Sequence, residues 1–386
     1  MKFYIFASIT FFYSVSSFSL VPSFFKAIDQ DTAVAVSLYK HAEITNVGNE
    51  NYTFEEFLSR ESSLDFNPIK GPSTNLGFTK NKFWLRFVIQ NTTDIPLNYF
   101  LETGRPITDH VDLYLVSSAG EISMLKNGDL IPFWEKSFQH RKIIFPITLE
   151  PQDSYQVYIH YQSDGEVINL PLNLHTPTSF ILSSYRNQLF HGIFYGLLLL
   201  AGAVYLFFYF GIGEKSFLLY SAYVLSVGLL HMSLDGYFFQ YINPSSNWLN
   251  KNAILFSAAL SALAFGRYAQ IYMGIKIFSS KLNISFNVLL GALLLLLCCI
   301  ILVLIGKPVY YPAVNLLSII LLFMLIAAVV LSYRKGKKVD PFFTVAIFSF
   351  SVGFFILILN NFSLIPNSFF MENGSKIGTG MEIIFL

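Results

Sequence analysis

The chain has 386 residues, 54% hydrophobic and 17% aromatic but only 13% charged, where a soluble globular chain carries about 25% charged residues; a water-soluble enzyme is excluded. The low charge and modest Gly and Pro counts exclude a disordered or collagen-like chain, and a net charge of +1 without a Lys/Arg block leaves no nucleic-acid-binding surface. The charge is divided, with 12 Lys/Arg against 19 Asp/Glu from Leu20 to Ile181 and 12 against 5 from Leu182 to Leu386, so an acidic soluble half is joined to an apolar basic one.

The chain opens with Met1-Lys2, an apolar run from Phe3 to Phe18, and Ser17-Phe18-Ser19 as a small-residue cleavage site. That order is a secretory signal peptide over residues 1–19; the alternative is an uncleaved anchor, for which the run barely reaches the roughly 20 residues a span needs. Either exports the acidic half. The only cysteines, Cys298 and Cys299, are adjacent in an apolar run, so the exported domain must be held by its core and not by disulfides. No Cys follows the signal segment to carry a bacterial lipid anchor.

Residues 20–178 read as strands. Thr53 to Ser59 can form one short helix. From Asn81 to Asn91, Phe83, Leu85, Phe87 and Ile89 alternate with Trp84, Arg86, Val88 and Gln90, the period of a strand with one core-facing side. Further strands follow at Leu97 to Leu101, Val111 to Val116, Lys142 to Ile147, Tyr155 to Tyr161 and Val167 to Leu174, separated by turn signals such as Asn127-Gly128-Asp129 and Ser163-Asp164-Gly165. Spacing of about ten residues implies an antiparallel β-sandwich.

Trp84 and Arg86 share the face opposite the apolar stripe. An exposed indole beside a guanidinium could stack on a sugar ring and bind a hydroxyl or carboxylate; alternatively Trp84 fills a core on its own side and Arg86 pairs with a buried acid such as Asp112 or Asp129. Trp134, near the turn at Gly128 to Pro132, either joins a ligand site or covers a loop. His41, His110, His140, His160 and His175 are scattered, without metal-ligand spacing.

Residues 179–386 carry seven apolar runs: Leu189 to Phe210, Phe217 to Leu234, Leu249 to Met273, Phe286 to Ile305, Tyr310 to Tyr333, Phe342 to Leu359, and one opening near Ser375 of which the ten residues from Ile377 make half a span. With an exported N-terminus the cytoplasmic side receives Lys215, Arg267, Lys276, Lys281, Arg334, Lys335, Lys337 and Lys338, the outer side only Lys251, Lys307 and Lys376, which agrees with the positive-inside bias. His231 and Asp235 are four apart and share a helix face, either as a pair that senses pH or a ligand or as an interfacial pair that snorkels to water. A transporter would need acids or broken helices near mid-membrane, and a retinal-linked receptor a lysine deep in the last helix, whereas Lys376 is at its outer mouth.

This order resembles the bacterial seven-transmembrane receptors with diverse intracellular signalling modules, 7TMR-DISM, with their second type of extracellular domain. The similar parts are Leu76-Gly77, Trp84-Leu85-Arg86, Val111-Asp112-Leu113-Tyr114, Gly128-Asp129 and Arg141 leading to Phe145-Pro146; then His191-Gly192-Ile193-Phe194-Tyr195-Gly196, Phe217-Leu218-Leu219-Tyr220, Gly236-Tyr237, Phe265-Gly266-Arg267-Tyr268, and Ile377-Gly378 with Glu382. The resemblance implies a carbohydrate-binding-like jelly roll, a seven-helix bundle, and output through a kinase, cyclase or phosphatase module or a separate cytoplasmic protein, with a homodimer as the working form. No output motif is present, so either the chain is a fragment or the partner is separate.

The expectation is thus an all-β jelly-roll-like sandwich followed by an all-α seven-helix transmembrane bundle in the inner membrane. It is a receptor for a small extracytoplasmic ligand, without enzymatic activity, cofactor or metal; the rivals are a transporter and an anchored adhesion module. Trp84, Arg86 and Trp134, with Asp129 and Arg141 from the motifs just quoted, form the candidate ligand set, and His231 with Asp235 the transmembrane polar pair.

Overall fold

The computed structural model describes residues 24–27, 34–245, 248–302, 307–336, 340–361, 364–365 and 369–386; the expected signal peptide lies outside them. Among these residues the N-terminal half forms strands β1 (Phe25–Ala27), β2 (Val36–Ser37) and β3 (Glu43–Gly48), then helix α1 (Phe54–Arg60), then β4 (Asn67–Pro68), β5 (Ser73–Phe78) and β6 (Lys82–Asn91). There follow β7 (Leu97–Gly104), β8 (His110–Val116), β9 (Ile122–Asn127), β10 (Ile143–Leu149), β11 (Ser154–Gln162), β12 (Val167–Pro171) and β13 (Asn173–His175).

The strand with the clearest alternation sits inside the larger sheet, ordered β4-β3-β6-β11-β8-β9, with β1 parallel beside the end of β6. A second sheet runs β10-β7-β13-β2, and β12 pairs with β5. Phe83, Leu85, Phe87 and Ile89 of β6 meet Leu101 of β7 and Phe145 of β10 in one core, which makes the two sheets a sandwich. Each such side chain contributes about 1.5–3 kcal/mol on burial.

The opposite face of β6 is covered too. Thr53 starts α1 with a capping box: its hydroxyl accepts from Glu56 N at 3.3 Å, and its own N–H donates to the Glu56 carboxylate at 2.9 Å. Phe54 and Phe57, three apart on one side of α1, pack with Val47, Trp84 and Tyr158 into a second core on the outer face of the sheet.

The helical half comprises α2 (Pro177–Ile212), α3 (Lys215–Leu234), α4 (Trp248–Tyr272), the short α5 (Ile275–Phe278), α6 (Ser280–Ile301), α7 (Lys307–Arg334), α8 (Pro341–Asn361) and α9 (Phe369–Phe385). Among the described residues six of them, α2, α3, α4, α6, α7 and α8, are long and apolar enough to cross a membrane. The strand-to-helix switch has no linker, because Thr176 follows β13 directly and its hydroxyl accepts from Ser179 N at 3.2 Å as the N-cap of α2.

Two readings of hydropathy need correction. α2 begins twelve residues before the apolar run at Leu189, since Ser183 to Gln188 are polar yet helical. α9 begins at Phe369 and is 17 residues long, not half a span from Ile377; its polar residues Asn373, Lys376 and Glu382 are buried, the last two against α3 or its end, so the helix does not advertise itself by an apolar run. α9 lies in backbone contact with α8: a Cβ on Gly378 would meet Ser349 O at 2.8 Å and Gly353 Cα at 2.9 Å. Gly374 and Gly378 form the small-xxx-small spacing that permits such close crossings.

Candidate functional site

Trp84 does not present its indole to solvent. It is 1% exposed, lies flat on Phe57 with centroids 4.0 Å apart and planes at 9°, and stacks with His160 at 4.7 Å. The shared face expected for Trp84 and Arg86 is real, but α1 and the turn after it close over it. Arg86 is spent on structure: Nε and Nη2 donate to Glu43 Oε2 at 3.0 and 2.8 Å, Nη1 donates to Glu61 Oε1 at 2.7 Å, and the guanidinium lies 3.8 Å above the Phe66 ring. Its partners are therefore Glu43 and Glu61, not Asp112 or Asp129.

The other candidates face the helices. The buried Asp129 offers its backbone carbonyl to Asn250 Nδ2 at 3.2 Å. Trp134 is 57% exposed on a turn whose Phe133 N–H donates to Pro244 O at 2.8 Å. The backbone bond joins that turn to the α3–α4 connection, which carries the exposed Tyr241 and Trp248, aromatic types common in a membrane-interface belt.

Arg141 lines a cavity of about 410 Å³ between sandwich and helices. On the sandwich side, Glu102 of β7 accepts from Lys142 Nζ at 2.7 Å and lies 3.3 Å from His175 Nε2. Burial pushes the Glu102 carboxyl up, but Lys142 and His175 outweigh it and hold the group at about 2. On the helix side, Asp235 at the end of α3 accepts from Tyr195 Oη at 2.6 Å and lies 2.9 Å from Lys376 Nζ and 3.6 Å from His191 Nε2. Arg141 joins the walls: Nη1 donates to the backbone carbonyl of Asp235 at 3.1 Å, and its guanidinium lies 5.0 Å from the centre of the Tyr237 ring.

The expected His231–Asp235 pair is not what the helix end builds. His231 packs edge-on against Phe194 at 5.2 Å, while the Asp235 carboxylate turns to Lys376. Gly236, at φ +80°, turns the chain away immediately after Asp235, and a Cβ there would meet Pro106 Cβ at 2.7 Å and Arg141 O at 2.8 Å. Only glycine lets the end of α3 seat this closely on the sandwich.

Reading the sequence missed Glu102, Lys142, His175, His191, Tyr195 and Lys376 as members of one site. The available signal was that His191, Asp235 and Lys376 each stand as a lone ionisable group toward the outer end of an apolar segment, a position expensive without a partner.

The family model for the 7TM diverse intracellular signalling domain of 7TMR-DISM matches residues 187–386, and that for 7TMR-DISM extracellular domain 2 matches residues 40–176. The chain belongs to the 7TMR-DISM family. It is a multi-pass membrane protein with an N-terminal extracellular domain. No curated protein sequence matches it. Within this 7TMR-DISM chain the helix motifs gather at two places: His191, Tyr195, Gly236 and Tyr237 cluster about Asp235 and Arg141, whereas Tyr220 and Glu382 meet deep in the bundle. There the Glu382 carboxylate accepts from Tyr220 Oη and Tyr223 Oη, each at 3.0 Å.

Proposed function

We propose that the chain is the sensory part of a plasma-membrane receptor, exported by its N-terminal signal segment, in which a small extracytoplasmic ligand enters the cavity between sandwich and helices and shifts the packing of α9. A single observation carries this reading: the cavity wall is shared by the sandwich, through Glu102, Arg141 and Lys142, and by the helices, through Asp235 and Lys376. A ligand there touches both units at once. Its binding can bias their relative packing only through unequal affinity for two arrangements, and charged groups on two separate bodies supply that inequality. The close glycine crossing makes α8 and α9 move together, and the cytoplasmic ends of the helices are the output surface for a signalling partner.

Spin labels on Ile212→Cys at the end of α2 and Ile384→Cys near the end of α9, both exposed positions, test this in a background with Cys298 and Cys299 replaced by alanine. Lys376→Met removes the cation from Asp235 and should move the interlabel distance by about 1–2 Å or more, the scale of helix shifts in switching proteins. Superimposable distance distributions in the two proteins would sink the reading.

A further inference from the structure

We propose that the cavity between sandwich and helices binds a small anion through a carboxylate or phosphate group. The inference rests on the sensory reading above and adds the chemical class of the ligand. Four cationic side chains, Arg105, Arg141, Lys142 and Lys376, line the cavity against two carboxylates, Glu102 and Asp235. Each carboxylate already has its cation, Lys142 at 2.7 Å and Lys376 at 2.9 Å, so, Arg105 aside, the lining holds one positive charge in excess.

Arg141 is the centre of that excess. It is 7% exposed; it donates to the Asp235 backbone carbonyl and faces Tyr237, and the Asp235 carboxylate acts on it only from beyond ion-pair distance. A guanidinium removed from water without a directly paired anion is costly. Its planar fork presents paired N–H donors that match a carboxylate or phosphate in a two-bond arrangement. The volume of about 410 Å³ falls in the range of roughly 300–1,000 Å³ typical of small-molecule sites. A neutral sugar lacks both a use for this charge and its stacking platform, since Trp84 is closed beneath Phe57.

The same anionic group could belong to a soluble metabolite or to a lipid headgroup at the outer membrane surface, and two lipid backgrounds separate them. The full chain is melted in nanodiscs of phosphatidylcholine alone, at constant ionic strength, with inorganic phosphate, succinate or glucose up to ~10 mM, enough to fill even a site with Kd near 1 mM. The melt is repeated without additive in nanodiscs containing phosphatidylglycerol. The expected result is a saturable rise in melting temperature with phosphate or succinate and none with glucose, and an apparent affinity at least tenfold weaker in Arg141→Gln and in Lys376→Gln. Stabilisation by phosphatidylglycerol alone, lost in the same variants, keeps the anion site and assigns it to a headgroup. If Arg141→Gln does not fold, Lys376→Gln carries the comparison.

The proposal is overturned if no anion stabilises in either lipid, if glucose alone does, or if the shift is undiminished in the variants. Its failure is separable from that of the sensory reading. Anion binding with a fixed Ile212–Ile384 distance removes the signalling reading and leaves the site, whereas a distance that moves in Lys376→Met without anion binding does the reverse.

Discussion

The ring of Phe57 lies against the indole of Trp84 with centroids 4.0 Å apart and planes 9° from parallel, so the short helix α1 covers the outer face of β6. The strand is thereby buried on both faces at Trp84, and Trp84 is packing. Trp84→Ala should lower the stability of the full chain by about 3–5 kcal/mol, the range for a buried aromatic, read as a large fall in melting temperature. Phe57→Ala should cost less in the Trp84→Ala background than alone, because the two share one contact. Strict additivity of the two substitutions would contradict the stacked pair.

Glu102 gives the extracellular domain an acid limb. Its carboxyl is held at about 2 against an ordinary value of 4.5, through Lys142 and His175 acting against burial. A depressed carboxylate contributes stability that is complete above the unfolded value and lost as pH falls toward the folded one. The contribution is on the order of 3 kcal/mol, and it should disappear between about pH 4.5 and pH 2. Glu102→Gln should be less stable than the parent at pH 7, and the difference should narrow at low pH. Parallel pH profiles for the two proteins would be incompatible with this pair.

The crossing of α8 and α9 predicts opposite outcomes for one chemical change. Gly378→Ala puts a methyl group 2.8 Å from Ser349 O and 2.9 Å from Gly353 Cα, backbone atoms that no rotamer change can move away; it should destabilise by about 1–3 kcal/mol. Gly192→Ala in α2 meets nothing within 4 Å and should be neutral or stabilising by up to about 1 kcal/mol through helix propensity. Melting both variants in one lipid composition checks the contrast, and equal effects would argue against the close crossing.

Glu382 ties α9 to α3 through two hydroxyls, each 3.0 Å away, in a place with no exposure to solvent. Glu382→Leu leaves the Tyr220 and Tyr223 hydroxyls without their acceptor, at about 1–3 kcal/mol for each orphaned group. Adding Tyr220→Phe and Tyr223→Phe to that variant removes the orphans and should recover most of the loss, measured as melting temperature. A triple variant less stable than Glu382→Leu would show that the hydroxyls have other partners to lose.

What the sequence disclosed follows from where the signal is local. The alternation of Phe83, Leu85, Phe87 and Ile89 marks β6, and Thr53 with Glu56 marks α1, because both patterns lie within one element. β9 escaped notice since Ile122, Ser123 and Met124 are all exposed and show no alternating face; β5 contains Gly77 at φ +72° and pairs through an irregular register. α9 escaped because its polar residues are satisfied by other helices. The site was least legible: Glu102, Lys142 and His175 come from three different strands or their ends, and Asp235 meets Lys376 only when α3 and α9 pack together. Arg141 was reached through a motif, and Trp84 stayed open between a ligand face and a core of its own because nothing local to β6 says that α1 lies over it.

The 36-residue α2 is roughly 54 Å long at 1.5 Å per residue, well beyond a hydrocarbon layer of about 30 Å. Its polar stretch from Ser183 to Gln188 precedes the apolar run at Leu189, so the first three turns or so form a stalk in the headgroup layer and the water above it. Ser183 and Asn187 of that stalk line the cavity, which therefore lies beside the polar part of α2 and above its apolar run. The stalk also fixes how high the sandwich stands. Thicker and thinner bilayers draw different lengths of such a helix into the hydrocarbon, and the polar stalk is the part of α2 that accommodates the difference.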